Sequence, residues 1–164
     1  MNSKTEAVKI KIINKSDNPL PEYATSGSSG MDLRAFLKED LIIKPLERVV
    51  IPTGLYVEIP DGYEIQIRAR SGLALKHGLS LPNGIGTIDS DYRGELGVII
   101  INLSKEGYTV KSGDKIAQMV LSKYEKIQLE QVDVLDESKR GSGGYGHTRS
   151  EEHTSELQSR SAIS

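Results

Sequence analysis

Apolar and polar positions alternate with a period of two along much of the chain, in short runs cut by turn residues, the signature of half-buried β-strands. Val8-Lys9-Ile10-Lys11-Ile12 is the first such run, and Asn18-Pro19-Leu20-Pro21 stops it. A Gly/Ser-rich loop follows, then strand-like runs over 31–37 and from Leu41-Ile42-Ile43 to Lys44-Pro45. Residues 47–51, 55–59 and 63–70 read as three more strands, separated by the turn signals Pro52-Thr53-Gly54 and Pro60-Asp61-Gly62. Within 63–70 the alternation is strict, so one face should meet the core while Glu64, Gln66, Arg68 and Arg70 line the other. Residues 71–78 read as a single short helix, with Ser71 as N-cap and Gly78 as stop. Residues 96–103 form a near-continuous apolar run that predicts a central core strand. Lys105-Glu106-Gly107 turns the chain into Tyr108-Thr109-Val110, and Lys111-Ser112-Gly113-Asp114 turns it again. Residues 115–124 lack clear periodicity and are assigned to a strand because their neighbours are strands. Roughly ten short strands around one helix predict an all-β fold, a distorted jelly-roll-like barrel or sandwich.

Composition narrows this picture. The chain has 164 residues, enough for one domain with a real core, but only 37% are hydrophobic, with 16 Gly, no Trp and a single Phe. A small turn-rich β unit of this kind gains by oligomerising, which buries more surface. With 21 basic and 23 acidic residues there is no clustered excess of cations for a nucleic-acid polymer, although a single nucleotide is not excluded. The absence of Cys removes disulfides, thiolate nucleophiles and cysteine-ligated zinc. No apolar run has the length of a membrane span, and Met1-Asn2-Ser3-Lys4 lacks the apolar core of a signal peptide. The expected location is therefore cytoplasmic, or nuclear or organellar for a processed eukaryotic chain. Residues 1–136 are expected to form the β domain. Residues 137–148, with Arg140-Gly141-Ser142-Gly143-Gly144-Tyr145-Gly146, cannot pack a core and are expected to be a mobile lid. Residues 149–164 resemble the in-frame translation of a sequencing-adapter oligonucleotide and carry no functional weight; without them 19 basic and 20 acidic residues remain.

The least ordinary stretch is Gly84-Ile85-Gly86-Thr87-Ile88-Asp89-Ser90-Asp91-Tyr92-Arg93-Gly94-Glu95, which has the make-up of a tight hairpin presenting side chains. Each chemical candidate also has a plain structural reading. Asp89 and Asp91 suit turn aspartates that bond their own backbone, and Gly113-Asp114-Lys115 suits a simple turn. Arg70-Ser71 at a helix start is either a cap or an anion site, because free N–H groups and a guanidinium fork meet there. His77 has no partner at metal-ligand spacing. Arg140 and Tyr145 belong to a linker, or to a segment that orders over an anion and a flat ring. Neither a Walker A sequence nor a dinucleotide-binding glycine fingerprint is present.

The order of the pieces is more specific than any one of them. Gly30-Met31-Asp32-Leu33-Arg34-Ala35, Arg70-Ser71-Gly72-Leu73-Ala74, the 84–95 stretch, Gly113-Asp114-Lys115-Ile116-Ala117-Gln118 and the 140–146 segment resemble, in order, the five motifs of the homotrimeric dUTPase family. The resemblance covers nearly all of residues 8–148. It implies hydrolysis of dUTP to dUMP and pyrophosphate with Mg2+, in a jelly-roll-like β trimer whose sites lie between subunits. Such an activity keeps uracil out of DNA and supplies dUMP for dTMP synthesis. By position it implies that Asp89 activates the attacking water, that Tyr92 lies under the deoxyribose, and that Asn83 reads uracil. The backbone of Gly84, Ile85, Gly86, Thr87, Ile88 and Gly97 is implied to share that reading. Arg70, Ser71, Gly72 and Gln118 fall at phosphate contacts, Asp32 at a magnesium-bound water, Arg140 at the γ-phosphate and Tyr145 on the uracil ring. Tyr145 stands where the family usually has Phe, His147 where Ser is common, and Arg149 where Gly is usual. Two other readings stay open at this level: a dCTP deaminase on the same fold, and a nucleotide-binding protein without turnover.

Overall fold

In the computed structural model, which describes residues 6–146, ten strands and one helix follow in the order β1 (Lys11–Asn14), β2 (Met31–Arg34), β3 (Leu41–Ile43), β4 (Arg48–Glu58), β5 (Tyr63–Arg68), α1 (Ser71–His77), β6 (Leu79–Ser80), β7 (Gly86–Ile88), β8 (Glu95–Asn102), β9 (Tyr108–Val110) and β10 (Lys115–Lys123). Two four-stranded sheets have the orders β1-β4-β8-β6 and β2-β10-β5-β7, and β3 pairs with β9. Every named ladder is antiparallel. This is the expected jelly-roll-like β architecture. The core, filled by Leu33, Ile43, Ile51, Leu55, Ile65, Ile67, Leu96, Val98 and Ile100 among others, draws on strands of all three sheets.

The pattern erred where polar atoms decide the local path. Pro52-Thr53-Gly54 does not end a strand: residues 48–58 are one strand, with a register shift between Pro52 and Tyr56. The Thr53 hydroxyl donates to the Leu96 carbonyl at 2.7 Å, Gly54 N–H donates to the Glu95 carboxylate at 2.8 Å, and Gly54 takes φ 71°. These bonds replace the lost ladder bonds, so a turn signal is absorbed as a bulge. The 84–95 stretch is likewise no hairpin. β7 pairs only with β5, whereas β8 pairs with β4 and β6, so residues 89–94 carry the chain from one sheet to another. Gly84 N–H to Leu81 O and Tyr92 N–H to Asp89 O close the turns on either side of β7.

Ser71 is the first helical residue rather than the N-cap; Arg70 holds that position in an extended conformation without a side-chain cap bond. Gly78 ends the helix as expected, with φ 66° and its N–H donating to Ala74 O and Leu73 O. The apolar 96–103 run is buried on one face only. Leu96, Val98, Ile100 and Asn102 point inward, while Ile99 is exposed opposite Val50 of the paired strand and Leu103, just past β8, is exposed as well. Asn102 is buried without cost, because its side chain donates to Ile43 O and Glu106 O and accepts from the Ser104 N–H and hydroxyl.

The chain divides into two compact units, the first ending at Lys126. Beyond β10, Ile127, Leu129, Val134 and Leu135 are each more than four-fifths exposed, since none of the strands pairs with this segment. Within the second unit a turn forms around Arg140: Gly141 N–H donates to Ser138 O and Arg140 Nε donates to Gly143 O at 2.7 Å. His147 and the 149–164 tail lie outside the described residues. None of the helices among the described residues is long and apolar enough to cross a membrane.

Candidate active site

β10 brings the first group together. Its register sets Gln118 between Asp32 of β2 and Arg68 of β5, a row of polar residues across three neighbouring strands. Gln118 Nε2 donates to the Ala69 carbonyl at 3.1 Å, which ties β10 to the residue before Arg70. Gly30 lies close beside it: a Cβ there would sit 2.6 Å from Gln118 Oε1 and displace that side chain. Arg70 Nε meets Asp32 Oδ1 at 3.1 Å, and Arg70 Nη1 donates to the Lys115 carbonyl at 3.3 Å. Lys115 Nζ meets the second Asp32 oxygen at 3.2 Å. The Asp32 carboxylate is thus held between two cations and keeps 27% of its side-chain surface exposed. Ser71 and Gly72 follow on the exposed first turn of α1, where helical N–H groups have no intrahelical partners.

The second group lies along β7. Gly86, Thr87 and Ile88 face Ile67, Gln66 and Ile65 of β5. Gly86 packs closely: a Cβ on it would sit 3.1 Å from Ile67 Cβ and 3.7 Å from Asn83 Nδ2, so backbone is presented where a side chain would stand. Asn83, Gly84 and Thr87 are exposed. Gly97 does not join this strand's ladder; it lies in β8, in the other sheet, where a Cβ would meet Val50 at 2.9 Å.

The third group is the crossover loop. Neither Asp89 nor Asp91 bonds its own backbone through its carboxylate, and the Asp89 carboxylate makes no hydrogen bond or ion pair among the described residues. The Tyr92 hydroxyl donates to Glu95 O at 2.9 Å, folding the ring over Gly94, where a Cβ would collide with that ring. Arg93 braces the loop by donating to Ser90 O at 2.7 Å and Tyr92 O at 3.1 Å.

One chain does not bring all the candidates together. Ile88 pairs with Ile65, so Asp89 lies level with Glu64, about four residues or ~13 Å from Arg68 along β5, and Arg70 lies beyond. Asp89 and Tyr92 therefore stand at one end of the sheet, and Asp32, Arg70 and Gln118 at the other. In the second unit Tyr145 is fully exposed. No group of three or more His, Asp or Glu side chains among the described residues could cage a metal. His77 stacks on Tyr108 at 4.9 Å, a packing role. Lys115 was not singled out by the sequence pattern; a register shift between Lys115 and Ala117 turns its side chain toward Asp32, and only the bulge reveals it.

Fold and site define a jelly-roll-like β protein with a cluster of Arg70, Lys115 and Asp32 at one sheet end and a glycine-lined strand with a free carboxylate at the other. The chain belongs to the dUTPase family, whose model matches residues 16–149. It is 62% identical over 141 residues to deoxyuridine 5'-triphosphate nucleotidohydrolase of Finegoldia magna, covering 86% of this chain and 99% of that protein. The corresponding Fusobacterium nucleatum protein is 54% identical over 141 residues, with 86% and 97% covered. Among solved structures, a mutant dUTPase of Staphylococcus bacteriophage 80alpha bound to dUpNHpp superposes with a TM-score of 0.74 at 26% identity, covering 87% of this chain and 99% of that one. A mutant dUTPase of phage phi11 of S. aureus, described with a structural Mg(II) ion, gives 0.71 at 26% identity over 79% and 100% of the two chains.

Proposed function

We propose that this chain hydrolyses dUTP to dUMP and pyrophosphate, keeping uracil out of DNA and supplying dUMP for dTMP synthesis. The observation that carries the reading is the pairing of an unpartnered, exposed Asp89 with a separately braced Arg70. The first suits a base that must bind water, the second a fixed donor for phosphate. Asp89 orients a water on the α-phosphorus and takes its proton as the new P–O bond forms and the bridge to the β-phosphate breaks, with pyrophosphate as leaving group. Arg70, the Ser71-Gly72 turn and Gln118 hold the phosphates, so electrostatic positioning supplies much of the rate. Asn83 and the backbone of 84–88 read uracil, and Tyr92 packs under the deoxyribose.

Magnesium would fit this arrangement as an ion carried mainly by the triphosphate, whose charge it would neutralise, with the part-exposed Asp32 carboxylate as the residue that would hold one of its waters. Gly97 supports this base reading only if its backbone meets the nucleotide from the second sheet. Arg140 and Tyr145, in the second unit, are assigned to the γ-phosphate and the uracil ring.

The separation of Asp89 from Arg70 within one chain supports a homotrimer in which neighbouring subunits complete each site. The exposed apolar row Val50, Ile99 and Leu103 supplies a surface for such contacts. Hydrolysis in 18O-labelled water tests the chemistry: the label should appear in dUMP. Label in pyrophosphate would place the attack at the β-phosphorus and remove Asp89 from its assigned role.

A further inference from the structure

We propose that Lys115 is a positioning residue that keeps Arg70 available to an anionic ligand by competing for Asp32. The inference rests on the dUTP-hydrolysing reading for its substrate but on this chain's own geometry for its mechanism. Arg70 beside Asp32 alone would be a neutral pair, and a carboxylate free to rotate takes a guanidinium with both oxygens. That arrangement would consume the donors a phosphate needs. Here Lys115 Nζ meets Oδ2 at 3.2 Å while Arg70 Nε meets Oδ1 at 3.1 Å, so the two cations share the carboxylate. Arg70 Nη1 is fixed by the Lys115 carbonyl at 3.3 Å. The cluster of Asp32, Arg70 and Lys115 carries a formal charge of +1 instead of zero.

Two features of the fold set this up. The register shift between Lys115 and Ala117 directs Lys115 toward Asp32, and Gln118 on the same strand bonds Ala69 O just ahead of Arg70. Lys115 also lines a polar cleft of about 250 Å3 with Asp32, Arg34, Asn18 and Glu22. Arg34 makes no ion pair with Asp32 among the described residues; its Nη1 donates to Gly113 O at 2.9 Å.

The test compares the full chain with Lys115→Met, Lys115→Arg, Asp32→Asn and the Asp32→Asn/Lys115→Met double variant, by dUTP kinetics and by calorimetric titration with inorganic tripolyphosphate. Lys115→Met should raise KM for dUTP about tenfold and weaken tripolyphosphate similarly, with kcat within about threefold. Lys115→Arg should restore both to within about threefold, because charge and the bond to Oδ2 return. In the Asp32→Asn background Lys115→Met should cost less than threefold, since there is no carboxylate left to release. An unchanged KM in Lys115→Met, equal costs in both backgrounds, or an arginine variant as impaired as the methionine variant would each overturn the proposal. A wild-type chain that binds tripolyphosphate in this Lys115-dependent way but leaves dUTP intact would refute the hydrolase reading and leave the positioning role standing.

Discussion

Asp89 and Tyr92 sit in one loop braced by Arg93, the first with a free carboxylate and the second with its hydroxyl on Glu95 O, and they make separate predictions. Asp89→Asn keeps the shape of the side chain but cannot take a proton, so kcat should fall at least about 10²-fold while a non-hydrolysable dUTP analogue still binds. Near-normal turnover in that variant would take Asp89 out of the chemistry. The Tyr92 ring lies over Gly94, so Gly94→Ala must push the ring away from the place proposed for it under the sugar. Discrimination between dUTP and UTP, read as the ratio of kcat/KM values, should then drop by about tenfold, the worth of a shape contact of 1–3 kcal/mol. Unaltered discrimination would show that Tyr92 does not test the sugar.

At this scale the sequence already showed which residue types were unusual, but not what they touch. The Asp89 carboxylate read equally well as a turn former, and only the loop's hydrogen bonds, which run through Arg93 and Tyr92 instead, separate the two. Lys115 read as part of a turn because a bulge has no period that a hydrophobic pattern records.

Among the elements, β4 and β8 form the central ladder, and the polar atoms buried against them carry a stability prediction. Asn102 is fully buried with all its side-chain hydrogen-bonding groups engaged, bonding the end of β3 and the turn after β8. Asn102→Ala removes four bonds at once and leaves the Ile43 carbonyl without this donor, so urea unfolding should show a loss of about 3 kcal/mol. A loss below about 1 kcal/mol would mean that water replaces the side chain at no cost.

Short strands such as β5 and β9 were legible from alternation and turn residues, because one face of each is solvated. The continuous strand β4 was not, since Pro52-Thr53-Gly54 looks like a turn unless the partners of Thr53 and Gly54 are known, and these lie more than forty residues away at Glu95 and Leu96. The same limit made the 84–95 stretch read as a tight hairpin. Local composition shows that the chain turns, but not that the two flanking strands belong to different sheets.

On the scale of the whole molecule, the five ordered motifs were readable from residue order alone, whereas the distance between their ends was not. Asp89 and Arg70 at opposite ends of one sheet make sense in an assembly, and so do the exposed Val50, Ile99 and Leu103. Light scattering after size exclusion should give about 54 kDa, three copies of the 18.0 kDa chain. A monomer that nevertheless turns over substrate would contradict the shared site. Truncation after Thr148 should leave activity intact, and truncation after Ser138, which removes Arg140 and Tyr145, should abolish most of it. The central claim is tested most directly by pyrophosphate release from dUTP, dCTP and dTTP, each with Mg2+ and the purified full chain. Turnover of dUTP at least about 10²-fold faster than of the other two is the expected result, because a backbone proposed to read uracil would leave cytosine's polar groups unpaired, and its close approach at the glycines would leave little room for the thymine methyl. Equal rates on all three, or binding of dUTP with no pyrophosphate released, would contradict it.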